Sequence, residues 1–252
     1  IRLPIQSQEG FVAQLMAGVT KRTKLIFLSH ITSSTAIRFP VEKVVAAAKQ
    51  LGIMTFVDGA HGPAQVPISL RTLDADIYTG ACHKWMMTPK GSSFLYVRRE
   101  HQHLFDPLVI SWGFKADKPS HSLFLDYHQQ QGTRDLSAFC CIPAAIDFMK
   151  EHNWEEVSAH CRPLVLSNAL RFCNLLETEP LLPLDDFFVR QLFSIPIRTT
   201  EPDKLKARLF DEFKIEIPVM RQGDRVFIRY SIQAFNDQKD LDRLAEVLTQ
   251  LR

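Results

Sequence analysis

No run of apolar residues approaches the ~18 needed to cross a bilayer, so a membrane-spanning helix is not expected. Charge of one sign is also missing. The 30 Lys+Arg stand against 28 Asp+Glu, a formal net charge of +2, and basic pairs such as Arg98-Arg99 stand alone. A nucleic-acid binder shows a concentrated basic surface, and nothing here supplies one. Cysteine is sparse and irregular: five in 252 residues, an odd number without repeating spacing. That argues against a disulfide scaffold and for a reducing, cytoplasmic compartment. Cys82-His83 has no second Cys/His pair at ligand spacing, so no metal site is expected. Internal repeats and low-complexity tracts are absent as well. At 46% hydrophobic and 23% charged, the chain is neither disordered nor collagen-like. The opening, Ile1-Arg2-Leu3-Pro4-Ile5-Gln6, carries neither an initiator Met nor a secretory pattern. It reads like the inside of a longer protein.

What is there is a regular alternation of elements. Gln6 to Val19 has apolar residues at helical spacing, and Leu25-Ile26-Phe27-Leu28 is a short run suited to a strand buried on both faces. Val41 to Leu51 is Ala-rich and helical, with Pro40 before its first turn and Gly52 as its stop. Ile53–Val57, Ala75–Thr79 and Ser93–Val97 read as further strands. Strand, helix, strand at this spacing predicts βαβ units, hence an α/β fold with a mainly parallel sheet flanked by helices. Ligands of such sheets gather beyond the carboxyl ends of the strands. Those ends carry Ser29-His30, Asp58 and the segment leading to His83-Lys84.

From Asp106 to Gln131 the pattern loosens into a crossing segment marked by Pro107, Gly113 and Pro119. Ser137–Lys150 and Asn153–Leu176 read as helices, the first interrupted or bent at Pro143. A different rhythm follows: strand Gln191–Ile197, helix Pro202–Phe210, strands Phe213–Val219 and Arg225–Tyr230, helix Gln238–Leu251. Gln222-Gly223-Asp224 marks the hairpin. The expectation is a larger domain over 1–150 and a smaller α+β domain over 151–252.

Asp58 ends a strand and Lys84 follows the next one. A carboxylate facing a cation, with a lysine able to lose its proton, meets the two requirements of pyridoxal phosphate (PLP). Its aldehyde condenses with an amine, and its ring nitrogen must stay protonated to draw electrons. The pair alone is common. The wording around it is not: Val57-Asp58-Gly59-Ala60-His61-Gly62-Pro63, then Tyr78-Thr79-Gly80-Ala81-Cys82-His83-Lys84-Trp85, then Pro89-Lys90-Gly91-Ser92. With Ser29-His30-Ile31-Thr32-Ser33, Gln131-Gly132-Thr133-Arg134-Asp135 and Phe227-Ile228-Arg229-Tyr230-Ser231, these motifs resemble the class V aminotransferase family. That family belongs to the fold-type I PLP enzymes, and the likeness runs strongest to its isopenicillin N epimerase-like branch.

The resemblance implies a PLP-transferase fold and a set of roles. Lys84 would hold PLP as a Schiff base and shuttle protons at the substrate α-carbon. Asp58 would pair with the pyridinium nitrogen, and His61, where desulfurase relatives have Gln, would lie near the phenolic oxygen. Ser33, with Thr32 beside it, belongs to the loop approaching that oxygen. His83 would donate to the phosphate, and Gly132-Thr133 would reach the phosphate of a neighbouring subunit, making a homodimer part of the site. Arg229 would clamp the carboxylate of an amino-acid substrate. Trp85 reads as a packing residue.

Three departures stand out. Position 81 is Ala where relatives place a phosphate-binding Ser. Position 36 is Ala where the loop turns on Gly, so its backbone avoids a positive φ or accepts strain. The family's N-terminal part, which ordinarily cradles the phosphate, is expected to be missing. Desulfuration is disfavoured, because Glu201-Pro202-Asp203 and Met220–Asp224 hold no Cys. The expected activity is epimerase/racemase or aminotransferase chemistry through Lys84. A PLP-dependent lyase and a catalytically silent or impaired homodimeric remnant are the alternatives.

Overall fold

The computed structural model describes residues 3–251. Ile1, Arg2 and Arg252, at the outer ends of the two expected domains, lie outside the described residues. The N-terminal half holds α1 (Gln8–Met16), β1 (Leu25–Ser29), α2 (Val41–Gln50), β2 (Met54–Gly59), α3 (Leu70–Leu73), β3 (Ile77–Ala81) and β4 (Ser93–Val97). The strands lie in the order β1-β2-β3-β4. The first three are parallel, and β4 returns antiparallel to β3. Sequence signals set the helices. Ser7 caps α1 by accepting from the Gly10 amide at 3.0 Å. In α2, Val41, Val44, Val45 and Ala48 form one buried stripe at helical spacing.

β1 departs from its expected two-sided burial. Ile26 and Leu28 are buried, whereas Leu25 and Phe27 are 44% and 61% exposed. Successive side chains point to opposite faces, and Leu25 and Phe27 share the face on which Met54 and Phe56 of β2 are also incompletely buried.

The second half holds α4 (Leu123–Gln129), α5 (Ser137–Cys140), α6 (Ile142–Glu151), α7 (Trp154–Leu175), β5 (Leu192–Ile197), α8 (Pro202–Asp211), β6 (Val219–Gln222), β7 (Arg225–Ser231) and α9 (Gln238–Gln250). Its sheet is antiparallel in the order β5-β7-β6. Pro143 falls in the first turn of α6, and the helix expected to be interrupted or bent there divides into α5 and α6. The segment expected to be loose contains α4, started by Ser122, whose hydroxyl accepts from the Leu125 amide. The expected strand over 213–219 is replaced by β6, which begins only at Val219. The amides of Lys214 and Ile215 instead bond Phe210 and Leu209 carbonyls at the end of α8, and Lys214 takes φ 58°.

One cluster of buried side chains runs through both sheets. It joins Ile26, Leu28, Val57 and Tyr78 to Phe193, Ile195 and Phe227, with Val165, Ala169 and Phe172 of α7 between. The Tyr230 hydroxyl, buried in that cluster, donates to the Val165 carbonyl at 2.7 Å.

Candidate functional site

The parallel strands bring their carboxyl ends into register, with Ser29 beside Asp58 and Asp58 beside Thr79. Asp58 is half-buried, and its Oδ1 accepts from the Ala60 amide at 3.0 Å. Past Gly59 the chain turns tightly, the Gly62 amide reaching back to the Gly59 carbonyl at 2.7 Å. Both glycines are needed here. A Cβ on Gly59 would overlap the ring of Tyr78, and one on Gly62 its hydroxyl. Tyr78, fully buried on β3, thus lies directly against the turn that carries His61.

Lys84 follows β3 and is exposed as a residue, with its Nζ 3.2 Å from His61 Nε2. Its pKa is lowered, first by burial of the amine and also by the Arg229 guanidinium, while Asp58 pulls the other way. His61 is buried and pushed down to about 3, by desolvation first and then by the charges of Lys84 and Arg229. The indole of Trp85, itself buried, donates to His61 Nδ1 at 3.2 Å. Trp85 also fills a small cluster with Ile31, Ala36, Val66 and Leu192, which is the packing role its sequence suggested.

Arg229 comes from β7 in the other sheet. Its Nη1 donates to the Ser33 carbonyl at 2.7 Å and lies 3.2 Å from the Ser33 hydroxyl, and its buried Nε has no partner. Burial lowers its pKa. Thr32 does different work. Its hydroxyl accepts from the Ile37 amide at 2.9 Å and meets Thr35 Oγ1 at 2.7 Å, holding the loop closed. That closure puts Ala36 at φ 56°, so the loop accepts the left-handed geometry, at a cost of about 1 kcal/mol.

His83 donates Nδ1–H to the Ser92 carbonyl at 2.8 Å. Its Nε2 therefore donates to a phosphate only when the ring carries both protons. Gly132, at φ 96°, and Thr133 are exposed in the turn between α4 and α5, with Ser111 close to where a Gly132 Cβ would sit. The structure thus gathers Asp58, His61, Lys84, Arg229 and Ser33, while Gly132 and Thr133 stand on a separate exposed turn.

Sequence reading missed two supports. His30 is buried, with Nδ1 2.9 Å from the Tyr78 hydroxyl and Nε2 unpartnered. Desolvation lowers it to about 4, which keeps it neutral, and its place beside Ser29 at a strand end was the available signal. Gln65 is the other. Its side-chain amide donates to the His61 carbonyl at 2.9 Å, and its Oε1 accepts from the Gln191 amide at 3.1 Å. Nothing in the sequence near Gln65 announces a partner 126 positions away.

The donor set fits the ring end of PLP: an amine of lowered basicity, a carboxylate within its electrostatic reach, an imidazole and a hydroxyl loop. At the phosphate end the described residues offer His83, and Ala81 contributes no hydroxyl. No group of three or more His, Cys, Asp or Glu suited to a metal occurs among the described residues, nor a helix long and apolar enough to cross a membrane.

Residues 3–244 match the aminotransferase class-V family. The chain is 31% identical, over 99% of its length, to isopenicillin N epimerase from Amycolatopsis lactamdurans, of which it covers 66%. It is 24% identical over 98% of its length to L-cysteine desulfhydrase from Arabidopsis thaliana, covering 60%. The chain therefore spans less than two thirds of the length of these relatives. Among solved structures it resembles the cysteine desulfurase of Thermococcus onnurineus NA1, with a TM-score of 0.78 at 19% identity over 97% of this chain and 62% of that one. It also resembles the cystine C-S lyase C-DES, with a TM-score of 0.73 at 19% identity over 95% of this chain and 64% of that one. These likenesses establish the fold-type I architecture.

Proposed function

The chain belongs to the aminotransferase class-V family, and from that premise we propose that it is a PLP-dependent enzyme acting at the α-carbon of an amino acid, by isopenicillin N epimerase-like chemistry. The observation that carries this reading is the convergence of three separate segments, one bearing Asp58 and His61, one Lys84 and one Arg229. PLP, when bound, supplies the electron sink that makes removal of an α-proton affordable.

The chain's own residues do the rest. The Lys84 amine attaches the cofactor and afterwards holds or returns the proton at the α-carbon, a task for which its lowered basicity suits it. Asp58 would pair with the ring nitrogen and favour its protonated form. His61 and Ser33 would serve the phenolic oxygen, with Thr32 keeping the Ser33 loop in shape. Arg229 exchanges its hold on Ser33 for the substrate carboxylate, which a planar fork of donors grips in two places. His83 serves the phosphate, and Gly132-Thr133 serve the phosphate of a second copy in a homodimer.

Incubating the protein with PLP and single amino acids in deuterium oxide tests this reading. Loss of the α-proton signal, abolished by Lys84→Ala, is expected; retention of every α-proton contradicts it. A lyase reading draws support from the L-cysteine desulfhydrase relative. Release of pyruvate and ammonia from cysteine, in place of exchange with intact amino acid, decides for it. PLP attachment at Lys84 without either reaction marks the impaired remnant.

A further inference from the structure

Trp85 is buried and has no part in the chemistry above, yet it reaches the reacting amine through one intermediary. Its Nε1–H donates to His61 Nδ1 at 3.2 Å, and His61 Nε2 lies 3.2 Å from Lys84 Nζ. An indole nitrogen only donates, so Nδ1 is the accepting, unprotonated nitrogen of the ring. A neutral imidazole then carries its single proton on Nε2, which points at Lys84. An ammonium offers three donors and no lone pair, so it cannot accept that proton. The chain of contacts closes only if the Lys84 amine is uncharged.

Resting on the proposed function, we propose that Trp85 is a positioning residue: it fixes the Nε2–H tautomer of His61 and thereby holds the Lys84 amine in its uncharged form. An uncharged amine has the lone pair that attack on an aldehyde carbon requires, whereas an ammonium must first release a proton.

The surroundings agree. The charged and titratable groups acting on this pair are Asp58 at the end of β2 and Arg229 on β7. Asp58 favours the ammonium, while burial and Arg229 oppose it, and the outcome for Lys84 is downward. Burial above all keeps the His61 ring from taking a second proton. Tyr78 is pushed up, by burial first and then by the charge of Asp58, and stays neutral. A Gln side chain reproduces the pattern: its oxygen accepts from the indole and its amide donates to the amine.

The test needs no turnover. Reductive methylation of the cofactor-free protein across a pH series, read at Lys84 by peptide mass spectrometry, gives the amine's titration midpoint. Trp85→Phe frees Nδ1 to carry the proton, so Nε2 becomes an acceptor for the ammonium. The midpoint then rises by about one pH unit, roughly tenfold less free amine at a given pH. His61→Gln keeps the parent midpoint. An unchanged midpoint in Trp85→Phe overturns the proposal. If that variant does not fold, ring nitrogen shifts of His61 in the parent decide: protonated Nε2 supports the proposal and protonated Nδ1 refutes it. PLP attachment at Lys84 is scored separately, so an unmoved midpoint with attachment sinks this inference alone, and a moved midpoint without attachment sinks the proposed function alone.

Discussion

Around Lys84 the side chains of His61 and Trp85 form a continuous contact, with Asp58 and Arg229 close enough to shift the amine's basicity. Gly132 and Thr133, expected at the phosphate of a neighbouring subunit's cofactor, stand on an exposed turn beside Ser111. The stretch before that turn is openly apolar, with Leu108, Ile110 and Trp112 exposed, Trp112 at 87%. The first group is organised by one chain: strand ends fix Asp58, the Gly59–Gly62 turn fixes His61, and Gln65 ties that turn to β5 through Gln191. Among the described residues, the second shows no comparable tie to another element. Exposed apolar surface of that kind is a feature of protein–protein, membrane and ligand contact sites. In the proposed homodimer the ring end would be preformed and the phosphate end completed by assembly.

The comparison can be broken at several points. Lys84→Ala has the largest expected effect, complete loss of PLP attachment, with unfolding by urea changed by less than about 0.5 kcal/mol because the residue is exposed. A loss of folding in that variant would make Lys84 a structural residue. Gln65→Ala comes next. It leaves the His61 carbonyl and the Gln191 amide without their partner inside the protein, a destabilisation of about 2 kcal/mol in the same urea experiment. A change near zero would show that the ring end is not held in this way.

Acid gives a third measure. Burial lowers His30 and His61 from 6.5 to about 4 and about 3, so the unfolded chain takes up protons first as the pH falls. Their contribution is full above 6.5 and drains away as the pH drops toward the folded values. Stability measured by urea at pH 7 and pH 4.5 should fall, and His61→Gln should make the fall shallower; an equal fall in both proteins contradicts the burial of a neutral His61. Thr133→Ala is the smallest case. It should shift unfolding by less than about 0.5 kcal/mol, and a loss comparable to that of Gln65→Ala would erase the contrast between the two ends.

The sequence made the strand ends legible because each parallel strand is a short apolar run closed by a polar or turn residue, Asp58-Gly59 above all. Periodicity likewise placed α2, α7 and α9 to within two residues at either end. It could not show that one face of β1 is incompletely covered, since burial of Phe27 depends on what packs over that face of the sheet. Nor could it see that the Lys214 and Ile215 amides close α8, which delays β6. Asp58, His61, Lys84 and Arg229 were visible as motif residues, but the contact between Trp85 and His61 was not. A tryptophan that packs and a tryptophan that also donates a hydrogen bond to a ring nitrogen have the same sequence signature.

The proposed chemistry depends above all on the amine at position 84. Protein treated with PLP, reduced with borohydride and digested should yield one modified peptide, carrying the pyridoxyl group on Lys84. A product free of modification, or modified at Lys90 or another lysine in its place, would contradict it.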